Sequence, residues 1–239
     1  MTRIPVAAIA LLAAFPMLSG CSQEEKPDYD PGVTAADFVM GIDNPYLPFK
    51  PGAWWRYEAT TEDGMETIEV QVLEATKTIM GVKATVVRDT VKLDGEVIED
   101  TYDWYGQDKT GNVWYLGEDT AEYEDGVVVS TEGAWEWGVD GALPGVVMWA
   151  KPVADDKPYF QEFYWDEAVD EASVIALGRQ VKVQAGTFTD TVTTREWTRL
   201  DPDVSEIAHY ARSVGVVLKA PEGGGMLEGE ELVAYHVPK

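Results

Sequence analysis

The residues best suited to metal chemistry lie between Tyr102 and Trp137, where acidic side chains alternate with aromatic ones. The candidate metal ligands in this stretch are Asp103, Asp108, Asn112, Glu118 and Asp119. Hard cations such as calcium take several carboxylate and carbonyl oxygens that converge on one point. The spacing of Asp108, Gly111 and Asn112 lacks the alternating acidic positions and the closing glutamate of an EF-hand loop. The stretch therefore indicates either a calcium site or a turn with solvated carboxylates on the outer face of a sheet.

Tryptophan offers a second kind of site, because aromatic faces on a sheet can stack a sugar ring or line an apolar pocket. The chain has nine tryptophans. The candidate ligand-binding residues are Trp104, Trp114, Trp135 and Trp137. Tryptophan also buries a large area and pairs well across strands, so the alternative interpretation is that most of them form the core. Aromatic faces beside two suitably spaced acids would also suit a glycan binder or a glycosidase.

Other catalytic arrangements find little support in the sequence. Only two histidines are present, His209 and His236, so a three-histidine zinc site cannot be built from side chains. The sequence contains no Gly-x-Ser-x-Gly elbow, phosphate loop or dinucleotide fingerprint. With 43 acidic residues, no single catalytic pair stands out. We therefore expect a protein that is not an enzyme and has no cofactor.

The charge of the chain restricts its partners. Against 43 acidic residues there are 18 basic ones, which gives a formal net charge of −25. Nucleic acid is excluded as a partner, because phosphate binding needs clustered lysine and arginine. The acidic residues are interspersed with apolar ones, so the chain is not a disordered acidic tail.

The N-terminus has the pattern of an export signal. Arg3 precedes an apolar run from Ile4 to Met17, which is too short to span a bilayer comfortably. The next four residues, Leu18-Ser19-Gly20-Cys21, resemble the lipobox of bacterial lipoprotein precursors at all four positions. The alternatives are an ordinary secretory leader that happens to contain a cysteine, or a buried structural cysteine.

The lipobox resemblance implies that residues 1–20 are a signal peptide and that the acylated Cys21 becomes the mature N-terminus. The acylated Cys21 would bind the protein to the lipid bilayer. Residues 21–37 are polar and acidic and are predicted to form a flexible tether. The resemblance also implies export and lipid anchoring, at the outer membrane facing the periplasm if the host is Gram-negative, because Ser22 follows the cysteine.

The elements that would position these residues are predicted to be short antiparallel strands. Apolar and polar residues alternate from Thr67 to Leu73, as in a half-buried strand. Asp94-Gly95 predicts a two-residue hairpin turn, and further turns are predicted at 108–112 and 124–126. Turn residues recur about every eight to twelve positions, the spacing of sandwiches and barrels. We expect an all-β fold with little helix: residues 38–239 as one antiparallel domain of about a dozen strands, forming a meander, a barrel-like or half-barrel sheet, or a sandwich.

Three short segments resemble a group of uncharacterised secreted β-rich bacterial proteins. The first is residues 44–58, in which Pro48, Gly52, Trp55 and Tyr57 fit the opening strand of that group. The others are residues 184–190 and 210–217. The resemblance implies a β-rich fold and assigns no catalytic residue. The favoured hypothesis is a non-enzymatic, lipid-anchored envelope protein that binds a partner protein or a small apolar ligand, with calcium binding and glycan binding as alternatives.

Overall fold

The computed structural model describes residues 25–224 and 229–239. The predicted signal peptide, Cys21 and the first residues of the predicted tether lie outside the described residues. Helix in the described part is limited to a three-residue 3-10 turn, Ala35–Asp37, so the predicted all-β class is confirmed. Among these residues, no helix has the length and apolar character needed to cross a membrane.

The first half of the chain forms the predicted meander. Its strands are β1 (Phe38–Val39), β2 (Trp54–Thr60), β3 (Met65–Ile79), β4 (Val82–Leu93), β5 (Glu96–Asp108) and β6 (Val113–Glu124). From β2 to β6 each strand pairs antiparallel with the next. The hairpin at Asp94-Gly95 has positive φ at both residues, 49° and 92°, which is the backbone shape that the sequence predicted there.

Shorter strands follow, and they include both ends of the main sheet. They are β7 (Val127–Ser130), β8 (Trp135–Glu136), β9 (Leu143–Met148), β10 (Tyr159–Phe160) and β11 (Glu162–Phe163). Strands β7, β8 and β9 all pair with β6 at different points along its length. Strand β11 pairs with β9 and forms the end of the sheet.

The last third of the chain adds a second antiparallel series. Its strands are β12 (Asp170–Leu177), β13 (Val181–Val183), β14 (Gly186–Phe188), β15 (Thr191–Thr198), β16 (Ser205–Ala211), β17 (Gly215–Pro221) and β18 (Glu230–His236). Strands β13 and β14 form a separate hairpin. Strand β18 pairs with β2, with Tyr235 opposite Trp55 and Leu232 opposite Tyr57, which joins the two halves of the chain into one sheet.

In the part of the chain that the structure describes, the main sheet has sixteen strands and is nearly closed. Its main path runs from β10 through β12, β15, β16, β17, β18, β2, β3, β4, β5, β6 and β9 to β11. The two end strands are separated by one residue, Gln161. The barrel-like form of the prediction is therefore confirmed. There are more strands than the predicted dozen because several are only two residues long and leave no periodic pattern in the sequence.

Part of the segment predicted to be a tether packs beside β10 and β11, the two end strands of the main path. The Tyr29 hydroxyl donates a hydrogen bond to the carbonyl of Pro144 at 2.8 Å. Its ring centroid lies 4.7 Å from that of Phe160 and 5.1 Å from that of Phe163. These contacts place Tyr29 where β10 and β11, the two end strands of the main path, meet.

Candidate functional site

The inward face of the sheet carries an unusual number of acidic side chains. Strand register places Asp89 opposite Val70 and Thr101, Asp103 opposite Val87 and Glu118, and Glu196 opposite Ala172 and Glu206. The interior carboxylates are Glu66, Asp89, Glu99, Asp103, Glu118, Glu162, Asp170, Glu196, Glu206 and Glu230. They come from strands all around the nearly closed sheet. The interior is therefore lined by negative or protonated groups as well as by apolar side chains.

One positive charge faces these acids. Lys219 is 6% exposed and is the basic residue found among the buried side chains of the described part of the chain. Its Nζ lies 3.4 Å from Glu196 and 3.6 Å from Glu206. The hydroxyls of Tyr210 and Thr194 each donate a 2.7 Å hydrogen bond to Glu196 Oε1. The carboxylates near Lys219 are thus held in place, although one ammonium cannot neutralise all of them.

A second acidic group lies on β5, β6 and β11. The Tyr115 hydroxyl donates a 2.5 Å hydrogen bond to Asp103, and the Trp135 indole donates a 2.8 Å hydrogen bond to Glu162. Between them, Glu118 is 2% exposed, and neither of its carboxylate oxygens has a hydrogen-bond partner among the described residues. Buried polar atoms without partners are rare in folded proteins, so Glu118 calls for a functional or protonation-based explanation.

A small cavity of about 40 Å³ lies inside the sheet near Lys219. Its apolar lining, called here the apolar wall, consists of Leu47, Phe49, Trp55, Tyr57, Ile68 and Val70. Asp89, Glu230 and Lys219 line it as well. Asp89 Oδ1 and Glu230 Oε1 are buried without a hydrogen-bond partner among the described residues. The volume exceeds the roughly 15 Å³ that a single water needs, so it has room for a few waters or one small organic group.

The apolar wall of this cavity is positioned by the turn-rich segment before β2. Asn44 Oδ1 accepts hydrogen bonds from the backbone N–H groups of Tyr46, at 2.9 Å, and Leu47, at 3.2 Å. Gln107 Oε1 accepts a 2.9 Å hydrogen bond from the backbone N–H of Asn44. The indole of Trp55 donates to the carbonyl of Val214 at 2.6 Å. These bonds turn the chain so that Leu47 and the nearby Phe49 cover one end of the sheet interior.

Burial raises the pKa values of the interior acids. Desolvation is the main cause, and neighbouring carboxylates add to it. The pKa of Glu230 rises to about 8, those of Asp103 and Glu99 to about 7, and that of Asp170 to about 6. The pKa values of Asp89 and Glu118 are raised well above the usual range for the same reason. Several interior acids therefore keep a proton near neutral pH when no ligand compensates their charge.

The structure divides the five candidate metal ligands among three places. Asp103 and Glu118 are register partners on the inward face. Asp108 and Asn112 lie in the β5–β6 turn, where Asp108 accepts hydrogen bonds from Thr110 and Asn112 as well as from Trp114. Asp119 is exposed. In residues 25–224 and 229–239, no group of three or more histidine, cysteine, aspartate or glutamate side chains is arranged to hold a metal ion.

The four candidate tryptophans are all buried. Trp104, Trp114, Trp135 and Trp137 are between 4% and 7% exposed. Trp135 packs inside against Tyr115 with the rings at 88°. Trp114 and Trp137 pack against Phe38 on the other side of the sheet. Trp55 lines the interior cavity, and Trp197 lines a larger groove on the outer face.

Sequence reasoning missed Asp89 and Glu230, and a usable signal exists for the first of them. In β4, Asp89 lies between Val87 and Val91 in a period of two, so the acid is on the same face as the apolar residues. An acid in phase with an apolar strand face indicates a buried carboxylate. Glu230 gives no such signal, because it begins its strand after a glycine-rich segment of the sequence.

A larger groove lies on the outer face of the sheet. It has a volume of about 500 Å³ and runs across β12, β15 and β16. Its lining residues include Asp156, Glu171, Arg195, Trp197, Arg199 and Ser205. Because side chains alternate along a strand, Trp197 and Arg195 point outward from β15 while Glu196 between them points inward.

Comparison with known proteins gives no family for this chain. No protein-family model matches it, and no curated protein matches it. Among solved structures it is similar to a protein from Parabacteroides distasonis described as a "putative lipoprotein", with 10% sequence identity and a TM-score of 0.37. The match covers 81% of this chain and 99% of that one. A likeness of this size supports no argument about function.

Proposed function

We propose that the protein is a non-enzymatic, lipid-anchored envelope protein that binds a small, positively charged organic ligand inside its sheet. The lipobox supports the anchor. The observation that carries the binding proposal is the interior cavity, whose lining combines apolar side chains and Lys219 with Asp89 and Glu230, each of which has an oxygen without a partner among the described residues. An ammonium group with a short carbon chain has the matching chemistry.

Charge imbalance supports a cation rather than a neutral or anionic ligand. The pKa of Asp89 is raised by burial first and then by the nearby acids Asp103, Glu99 and Glu230, while Lys219 lowers it only as the smallest contribution. A bound ammonium would supply the missing positive charge and donate hydrogen bonds to oxygens that now lack them. Binding should then release protons from the interior acids.

The size and lining of the cavity change the kind of ligand we propose, from the small apolar molecule that the sequence led us to expect to a small organic cation. A wide apolar cavity would suit a carrier of apolar molecules, whereas the interior cavity measures about 40 Å³ and has Asp89, Glu230 and Lys219 in its lining. Its size favours a group such as methylammonium or ethylammonium, or the charged end of a longer amine. The apolar wall of Leu47, Phe49 and Trp55 would contact the carbon atoms.

Calorimetric titration of the full-length protein in detergent with ethylammonium chloride tests this function. Ethanol serves as the uncharged ligand of similar size. We expect binding of ethylammonium only, with affinity that rises from pH 6 to pH 8.5 as the interior carboxyls ionise. Titration in two buffers of different ionisation enthalpy should reveal proton release.

Asp89→Asn removes one cavity carboxylate and keeps the shape of the side chain. We expect the dissociation constant for ethylammonium to rise about tenfold or more, since each tenfold step corresponds to 1.4 kcal/mol. Asp63→Asn, at an exposed position, is the matched control and should bind as the natural protein does. Equal binding of ethanol, or an unchanged affinity in Asp89→Asn, would refute the proposal.

A further inference from the structure

The outer groove across β12, β15 and β16 is separated from the interior cavity by the sheet itself. Its chemistry is different as well. Trp197 is half-buried in this groove, and its neighbours Arg195 and Arg199 are the planar cations beside it. At about 500 Å³, the groove falls within the usual range of roughly 300–1,000 Å³ for small-molecule sites.

The charged side chains that line the groove are balanced, because Asp156 and Glu171 match Arg195 and Arg199 in number. Arg199 forms a two-point ion pair with Glu171, with Nε–Oε2 at 2.8 Å and Nη2–Oε1 at 3.2 Å. Arg195 lies 2.9 Å from Glu222 and 3.8 Å from Asp156. An anionic or cationic ligand would have to disrupt these pairs. In a chain with a net charge of −25, this local balance favours a neutral ligand.

The polar groups of the groove are also held in fixed positions. The Trp197 indole donates a 3.1 Å hydrogen bond to Glu171 Oε2, which fixes the plane of the ring. Ser173 donates to Asp156 at 2.7 Å, and Ser205 donates to Glu222 at 2.8 Å. A site whose groups are already ordered loses little entropy when a ligand binds.

We propose that this groove binds a neutral saccharide, with a sugar ring against Trp197. The aromatic face would contact the C–H groups of the ring, and the paired arginines and carboxylates would exchange hydrogen bonds with its hydroxyls. The proposal is independent of the interior amine site. It adds to the envelope protein a second binding surface that faces outward.

Saturation-transfer NMR of the full-length protein in detergent tests this site with neutral trisaccharides of glucose, of mannose and of N-acetylglucosamine. A trisaccharide of galacturonic acid is the charged comparison. We expect saturation transfer to at least one neutral trisaccharide, with little to the acidic one. Transfer to none of the three neutral ligands, or equal transfer to the acidic one, would overturn the proposal.

Two tryptophan variants locate the site. Trp197→Ala should weaken saccharide binding about tenfold or more, a step that corresponds to about 1.4 kcal/mol. Trp54→Ala is the matched control, because Trp54 is 40% exposed and lies on β2, away from the groove. An equal loss in both variants would overturn the assignment. Trp197→Phe, which keeps an aromatic face, should retain part of the affinity if Trp197→Ala is poorly folded.

Discussion

Both faces of strand β15 carry charged side chains in ion pairs, but the outer pair is exposed to water and the inner pair is buried. On the outer face, Arg195 pairs with Glu222 near water, and both side chains are more than a third exposed. On the inner face, Glu196 meets Lys219, and both are nearly buried. Water screens the outer pair, whereas the inner pair has to compensate its own loss of hydration. The comparison shows that charges on the outer face are arranged in pairs, while those inside exceed the available partners.

This imbalance explains why the inner face is the better candidate for binding small cations. Charged groups that are buried without a partner lower stability, so a protein tends to keep them only where they have a role. Glu118, Asp89 and Glu230 each have an oxygen without a partner among the described residues. Among the described residues that line the outer groove, no buried side-chain oxygen lacks a partner, and the balanced charges suit a neutral ligand.

The largest expected effect comes from Lys219→Met, which removes the buried positive charge and keeps the aliphatic stem. Glu196 and Glu206 then lose the ammonium that lies 3.4 Å and 3.6 Å away. Loss of one partner of a buried pair typically lowers the free energy of unfolding by about 3–5 kcal/mol. Urea denaturation at pH 7, followed by circular dichroism, measures it.

Lys92→Met is the matched control for that variant. Lys92 pairs with Glu69 on the outer face, where both side chains are about one third exposed. The loss should be below about 1 kcal/mol. If Lys219→Met does not fold, adding Glu196→Gln should restore folding, because it removes an acid that has lost its partner. Equal losses in the two lysine variants would contradict the contrast between the faces.

The next effect is on the pH dependence of stability. Between pH 4.5 and about 8 the folded protein holds protons on acids such as Asp103 and Glu230, whose pKa values are raised to about 7 and about 8. The unfolded chain has already released these protons, so the free energy of unfolding falls as the pH rises through this window. Urea denaturation at intervals from pH 5 to pH 8.5 should show this decline.

Glu118→Gln removes one interior acid and so tests whether these acids cause the decline in stability with pH. The decline should become shallower by up to one proton, which is about 1.4 kcal/mol per pH unit. Glu167→Gln makes the same charge change at an exposed position and should leave the slope unchanged. Stability that rises with pH in the natural protein would show that the interior acids are ionised throughout.

The smallest effect is expected from Glu222→Gln on the outer face. This variant removes the carboxylate that accepts hydrogen bonds from Arg195 and Ser205. Because these groups are well hydrated, the free energy of unfolding should fall by less than about 1 kcal/mol. Thermal melting at pH 7 gives the comparison with Lys219→Met. A loss as large as that of Lys219→Met would mean that the outer-face ion pairs stabilise the fold as much as the buried pair does.

Local sequence patterns were sufficient to predict the fold class and the meander. The alternation around Ile68 and Val72 and the turn at Asp94-Gly95 act over a few residues, so they can be recognised without knowing the rest of the chain. The pairing of β18 with β2 depends on residues about 180 positions apart and leaves no local pattern. The same holds for the near-closure at Gln161.

The candidate site was predicted only in fragments. Asp103 and Glu118 were singled out, and they lie together inside the sheet. Asp108 and Asp119 came from the same stretch of sequence but belong to a turn and to the outer surface. Composition cannot separate these cases, because the role of an acid depends on which face of its strand it occupies and on the register with neighbouring strands.

The single residue between β10 and β11 has a consequence for how copies of the protein behave side by side. Each terminal strand of the main path is only two residues long, and the chain crosses from one to the other at Gln161. Long free strand borders invite another molecule to add its own strand and start aggregation. Here each terminal strand itself offers only two residues for such an addition. Copies of the protein held close together would therefore be poorly able to pair through these two strands.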